Sequence, residues 1–250
     1  MMSPSPVLLI DNSNSRTKVR LLEAGVITGE SRWMPTADIT PESIRQLVAG
    51  WAFESVCVAS VVPSAAEVLS AAFECPVRFV SVTHSLPVNF SAYPGVATLG
   101  ADRVANVLAL AEKGKYPALA IDLGTAITFD VLTGSVESPV FGGGVIAPGL
   151  SALRNYLGRH TALLPQVELT TDCPVIGTNT REAILSGISG GFAGLVKEHI
   201  CRIRAQLEAP LYVVATGGDA ALAASLVPEI TEIDPLLTFK GIVSWLQFES

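Results

Sequence analysis

Residues 118–130, Ala-Leu-Ala-Ile-Asp-Leu-Gly-Thr-Ala-Ile-Thr-Phe-Asp, set one aspartate and a Gly-Thr pair between two apolar runs. A carboxylate at the end of a buried strand is costly to desolvate unless something in the site uses its charge. Gly124 and Thr125, beside Asp122, offer backbone N–H groups and a hydroxyl to an anion. The chemistry that suits this spacing is the holding of a phosphate together with a cation. The same pattern opens the chain. Ile10-Asp11-Asn12-Ser13-Asn14-Ser15-Arg16-Thr17 aligns with Ile121-Asp122-Leu123-Gly124-Thr125-Ala126-Ile127-Thr128, and Leu21 falls on Leu132. Two copies of strand, aspartate, small polar turn and strand imply an internal duplication.

These carboxylates need sheets behind them, and the sequence supplies the strands. Residues 7–11, 17–23 and 26–33 read as an antiparallel meander, and Thr40-Pro41-Glu42 starts a helix that runs to about residue 51. A continuous apolar strand at 55–62, a helix at 63–73 and a strand at 77–82 complete a mixed sheet flanked by helices. Residues 83–100 have no periodicity, and a loop of this length inside a compact domain is usually functional. It ends in Gly100-Ala101-Asp102-Arg103, where helical spacing begins at Val104. Asp102 therefore sits at or near a helix N-terminus, either as a capping carboxylate contributing about 1 kcal/mol or as a working one.

The second half repeats the plan. A hairpin at 118–132 leads to a glycine-rich loop at 141–150, a short helix at 150–157 and an extended exit at 161–165. Apolar residues then recur every three or four positions over 180–207, a long amphipathic helix. Gly187, Gly190, Gly191 and Gly194 inside it imply close packing, either in the core or across a dimer interface. A buried strand at 211–215 runs into Thr216-Gly217-Gly218-Asp219, a turn where backbone can lie against a nucleotide. A short strand at 230–233 and a helix at 240–248 close the chain, which divides into domains 1–114 and 115–250.

Composition narrows the function classes. Hydrophobic residues make up 49% of the 250-residue chain and charged residues 16%, too apolar for a disordered protein, and no run reaches the length of a membrane span. The first residues lack a signal-peptide pattern, which points to the cytoplasm. A net charge of −7 argues against bulk nucleic-acid binding, and an anionic nucleotide needs a metal ion and local donors here. Cys57, Cys75, Cys173 and Cys201 show no metal or redox spacing, and neither do His84, His160 and His199.

Two Asp-turn hairpins with a strand-Gly-Gly-helix turn resemble the actin, hexokinase and sugar-kinase superfamily, and nearly the whole chain is similar to one branch of it, the type III pantothenate kinases. The matching stretches are Ser60-Val61-Val62-Pro63, Tyr93 with Leu99-Gly100-Ala101-Asp102-Arg103, residues 122–130, Gly143-Gly144-Val145-Ile146-Ala147-Pro148-Gly149, Thr161-Ala162-Leu163-Leu164-Pro165, Ile176-Gly177-Thr178-Asn179-Thr180, Thr216-Gly217-Gly218 and Asp234-Pro235-Leu236-Leu237-Thr238. The resemblance implies an α/β fold of duplicated ribonuclease-H-like (actin-like ATPase) domains, each a mixed five-stranded sheet flanked by helices. It implies a homodimer that phosphorylates pantothenate from ATP, the first step toward coenzyme A, using Mg²⁺ and a monovalent cation, K⁺ or NH₄⁺. By matching positions, Asp11, Asn12, Ser13, Asn14, Ser15, Arg16, Thr17 and Lys18 form a first phosphate loop, with Asp11 holding Mg²⁺ through water. Asp102 is the catalytic base within a substrate loop, Gly100, Ala101, Asp102 and Arg103, and Tyr93 and Thr180 touch pantothenate. Asp122 binds the monovalent cation, Thr125 contacts ATP, and Gly217 and Gly218 lie near the adenosine.

One stretch departs from the family pattern of Asp, apolar, Gly, Asn, Thr: here it is Asp11-Asn12-Ser13-Asn14-Ser15. Losing glycine where backbone meets phosphate costs about 1–3 kcal/mol in strain or contact, so the expectation is a working kinase with weak ATP affinity. Two other readings keep the fold: a non-catalytic regulatory or binding member, and a kinase for another small alcohol. Retention of Asp11, Asp102, Arg103 and Asp122 together argues against the first.

Overall fold

The structure is a computed structural model, and it describes residues 5–168 and 174–249. Cys173 lies outside the described residues. The chain forms two compact units: one of residues Met1–Gly114, Val136–Gly142 and Leu236–Ser250, the other of Lys115–Ser135 and Gly143–Pro235.

In the first unit, strands β1 (Val7–Asn12), β2 (Arg16–Glu23), β3 (Val26–Ile27) and β4 (Arg32–Pro35) lead into helix α1 (Pro41–Leu47). Strand β5 (Ser55–Ser60), helix α2 (Pro63–Ala72), strand β6 (Val77–Phe79) and helix α3 (Ala101–Glu112) follow. The sheet order is β3-β2-β1-β5-β6, with β4 also on β2, so the sheet has six strands where five were expected. The single strand read over 26–33 is two short ones paired to different stretches of β2. Between them, Arg20 Nη1 donates to the Thr28 and Gly29 carbonyls at 2.8 and 3.1 Å, which takes those carbonyls out of the ladder. β1 is buried along its whole length because it lies between β2, antiparallel, and β5, parallel. Leu8, Ile10, Val19, Val56, Val58 and Leu69 form the core beneath it. α1 starts where Thr40 and Ser43 cap each other reciprocally, with Pro41 in the first turn.

In the second unit, strands β7 (Ala118–Leu123), β8 (Ala126–Gly134) and β9 (Pro139–Pro148, of which residues from Gly143 onward belong to this unit) precede helices α4 (Leu150–His160) and α5 (Thr180–Leu207). Strand β10 (Tyr212–Thr216), helix α6 (Ala220–Leu226) and strand β11 (Glu232–Ile233) complete a sheet of order β11-β10-β7-β8-β9. The glycine-rich stretch at 141–150, expected as a loop, is mostly the edge strand β9. Its burial alternates through Phe141, Gly143 and Ala147, the period-2 pattern of a strand that the glycines disguise in the sequence. α5 has the bounds read from its periodicity, and Ile184, Ile188, Phe192, Val196 and Ile200 face the core. A Cβ on Gly187, Gly190, Gly191 or Gly194 meets no described atom within 4 Å beyond the helix itself, so no described backbone or side chain of the same chain presses against these positions.

The last helix, α7 (Leu237–Phe248), belongs to the first unit and lies on α3. Thr238 Oγ1 donates to Asn106 Oδ1 at 2.8 Å, and a Cβ on Gly241 falls 1.8 Å from the Ala105 carbonyl oxygen. Helix backbones approach this closely only where the side chain is absent. Among the described residues, no helix is long and apolar enough to cross a membrane.

Candidate active site

The register of β1 on β2 sets Asp11 opposite Lys18, and Lys18 Nζ donates to Asp11 Oδ2 at 3.0 Å. Asp11 is 6% exposed, so the ammonium offsets a charge that burial makes costly. Asn12 beside it is 1% exposed and bonded at both ends of its amide, taking the Ser60 hydroxyl on Oδ1 and giving Nδ2 to Thr17 Oγ1. Ser13, Asn14 and Ser15 form the turn, closed by Ser13 N–H and Oγ on the Arg16 carbonyl at 3.1 and 3.0 Å. The Arg16 guanidinium stacks on the exposed Trp33 ring, 4.7 Å from its centre. All eight residues assigned to the first phosphate loop thus lie on one hairpin. Among the described residues, Ala24 and Glu208 are the non-glycine residues with positive φ. Ser13 therefore carries no left-handed strain, which corrects the conformational half of the cost expected there.

The N-cap of α3 is Gly100, in extended conformation, and Asp102 follows in the first turn. Asp102 Oδ1 accepts the Arg103 N–H at 2.7 Å and occupies the space a Cβ on Gly100 requires, 2.5 Å away. Gly100 is thus the residue that lets the carboxylate fold back over the helix start. Burial pushes the Asp102 carboxyl above its ordinary value and the Asp11 charge adds to that, while the Arg103 N–H and guanidinium pull it down. Arg103 is buried, its guanidinium 5.8 Å from the centre of the Phe141 ring. Tyr93 meets the same ring edge-on at 5.2 Å. Phe141 thereby joins two of the expected substrate residues, a role that the reading of 141–150 as a glycine loop missed. Asn89 stitches the segment in place, giving its N–H to the Pro139 carbonyl at 2.8 Å and accepting Phe141 N–H at 2.9 Å. A fully buried aromatic at the head of a glycine run is the signal that could have found it.

In the second unit, β7 carries Asp122 to the edge of a two-residue turn, Gly124-Thr125. Gly149 N–H donates to the Thr125 carbonyl at 3.1 Å, and a Cβ on Gly149 falls 2.2 Å from the Gly124 carbonyl oxygen. Gly217, at φ +91°, lies where a Cβ is 2.5 Å from the Leu123 carbonyl oxygen and 2.6 Å from Asp122 Oδ1. Asp122 and Gly217 therefore come together, Thr125 meets Gly149, and Gly218 faces open space. Asp122 Oδ1 and the Leu123 carbonyl, which accepts the Asp219 N–H at 3.1 Å, are the oxygens that crowd Gly217, and hard cations take oxygen ligands of this kind. No cluster of three or more His, Cys, Asp or Glu side chains able to hold a metal occurs among the described residues. Thr180 begins α5 behind the Asn179 cap and lines an apolar cavity of about 760 Å³ with Pro148, Tyr156, Ile184 and Gly187. Cys57 is buried and its thiol is pushed up to about 12, an inert side chain.

Two mixed sheets, each opened by an aspartate hairpin, make the actin-like fold. A protein of Campylobacter jejuni assigned to the Baf family of transcriptional activators has this fold, with a TM-score of 0.64 at 20% identity over 96% of this chain and 97% of that one. So does a protein of Cytophaga hutchinsonii assigned as a sugar kinase, at TM-score 0.53 and 12% identity over 97% and 99%. At these identities the likeness shows the fold. The family follows from sequence: the type III pantothenate kinase model matches residues 7–202. A type III pantothenate kinase of Akkermansia muciniphila is 42% identical over 235 residues, 94% of this chain and 96% of the relative. The chain belongs to the type III pantothenate kinase family.

Proposed function

We propose that the chain transfers the γ-phosphoryl group of ATP to the hydroxyl of pantothenate, forming 4′-phosphopantothenate for coenzyme A synthesis. The observation that carries this reading is family membership over nearly the full chain at 42% identity. Phosphoryl transfer asks a protein mainly for positioning and charge stabilisation. In this reading the Asp11–Lys18 hairpin receives the phosphates, with Lys18 and Arg16 as the nearby cations. Asp102 orients the pantothenate hydroxyl and takes its proton late in the transfer, and the upward push on its carboxyl makes it a stronger acceptor. Arg103 and Tyr93, joined through Phe141, shape the pantothenate side with Gly100, Ala101 and Thr180. Thr125, Gly217 and Gly218 attend the nucleotide.

Asp11 would hold Mg²⁺ through water, and the ion would supply charge neutralisation on the phosphates. Asp122 would hold K⁺ or NH₄⁺. The chain works as a cytoplasmic homodimer in this reading. The glycine face of α5 and the exposed apolar side chains Tyr156, Val175 and Ile176 favour association through that surface. The test is ADP release by purified protein with Mg²⁺ and K⁺, compared across a panel of acceptor alcohols. Release dependent on pantothenate is expected. Release with another acceptor alone moves the reading to a different alcohol kinase, and none at millimolar ATP overturns it.

A further inference from the structure

Four hydrogen bonds link β5 to the first turn. Ser60 Oγ donates to Asn12 Oδ1 at 2.6 Å, and Asn12 Nδ2 to Thr17 Oγ1 at 2.8 Å. Thr17 Oγ1 lies 3.1 Å from Thr36 Oγ1, and Thr36 Oγ1 donates to the Ser13 carbonyl at 2.7 Å. A hydroxyl has one proton, and Thr36 uses its proton on Ser13, so Thr17 is the donor to Thr36. The bonds then run head to tail from Ser60 to Ser13, and each polarises the next. Thr36, in the one-turn 3₁₀ helix Thr36–Asp38 after β4, also gives its backbone N–H to the Ser15 carbonyl at 3.2 Å.

Thr36 thus draws two carbonyls of the turn, those of Ser13 and Ser15, toward the protein. In a trans peptide the carbonyl and the following N–H point in opposite directions. Anchoring these carbonyls therefore turns the N–H groups of Asn14 and Arg16 away from Thr36, where an anion can take them. We propose that Thr36 is the positioning residue of the phosphate loop, presenting the Asn14 and Arg16 amides to the phosphates of ATP. The proposal rests on the reading of Asp11–Lys18 as that loop. It also accounts for the polar residue at position 12, where the family pattern is apolar: Asn12 relays the bonding from Ser60 to the turn.

The experiment compares the full chain with Thr36→Val, which keeps the shape and loses the hydroxyl, and Thr36→Ser, which keeps the hydroxyl. KM for ATP should rise roughly ten-fold in Thr36→Val, the scale of one lost hydrogen bond. KM for pantothenate should stay within about two-fold, and Thr36→Ser should restore the parental KM for ATP. An unchanged KM for ATP in folded Thr36→Val, or a parallel rise in both KM values, overturns the proposal. If Thr36→Val does not fold, Ser60→Ala breaks the chain at its far end. A rise in KM for ATP of about two- to three-fold then supports the proposal, and none overturns it. Calorimetric titration with a non-hydrolysable ATP analogue separates the two readings. A parent that binds the analogue without pantothenate-dependent turnover defeats the proposed activity, yet weaker binding by Thr36→Val still supports the anchor.

Discussion

The two aspartate hairpins carry their carboxylates at matching places and hold their turns by opposite means. The first turn has three residues between β1 and β2, so Asp11 pairs with Lys18; the second has two between β7 and β8, so Asp122 pairs with Thr128. The longer turn is anchored by side chains: Thr36, Thr17, Asn12 and Ser60. The shorter one is enclosed by backbone, with Gly149 and Gly217 set so close that a Cβ on either overlaps a carbonyl oxygen. Side-chain anchors tolerate exchange of like for like, whereas glycine contacts tolerate no added atom. The difference explains why the first copy can depart from the family pattern while the second keeps it.

The largest effect expected is on Asp102, whose carboxyl feels the charge of the first hairpin. Asp102→Asn should lower kcat by about 10²- to 10⁴-fold, the usual contribution of a general base, with folding intact. Burial raises the Asp102 pKa in the folded state, so that carboxylate withdraws stability as pH rises through the raised value. Asparagine withdraws none, and the variant should melt higher than the parent at neutral pH. The advantage should vanish below the ordinary carboxylate range. Turnover at the parental rate removes the base from the mechanism, and an unchanged Tm at neutral pH removes the burial argument.

The second hairpin is tested by two neighbouring glycines. Gly217→Ala places a Cβ 2.5 Å from the Leu123 carbonyl oxygen at φ +91° and should cost roughly 3 kcal/mol or more in a denaturant titration. Gly218→Ala, with nothing within 4 Å, should stay within about 0.5 kcal/mol of the parent. Equal losses at both positions end the claim that backbone enclosure, rather than glycine content, holds this turn.

Much of this was legible from residue pattern. The bounds of α5 followed from apolar spacing, and the Asp11 and Asp122 hairpins followed from a carboxylate ending an apolar run. Three features were hidden for physical reasons. The gapless alignment of the hairpins concealed the extra residue in the first turn, because register is decided by strand pairing. β9 looked like a loop because glycine carries no hydrophobicity with which to mark alternation. Thr36 is remote in sequence from Ser13, and a buried threonine becomes meaningful only when pairing of β4 with β2 brings it to the turn.

The smallest expected effect decides whether the first hairpin is a weakened copy of the family loop or a different solution. If position 13 needed glycine for its conformation, Ser13→Gly would relieve strain and lower KM for ATP several-fold. Its backbone lies outside the left-handed region, however, and its hydroxyl donates to the Arg16 carbonyl at 3.0 Å. Glycine there removes that bond and adds freedom to the unfolded chain, each worth about 0.5–1 kcal/mol. KM for ATP should therefore stay within about two-fold while Tm falls by a few degrees. A several-fold gain in ATP affinity would restore strain as the cost of Ser13, and would make the Thr36 network a repair of that turn rather than its design.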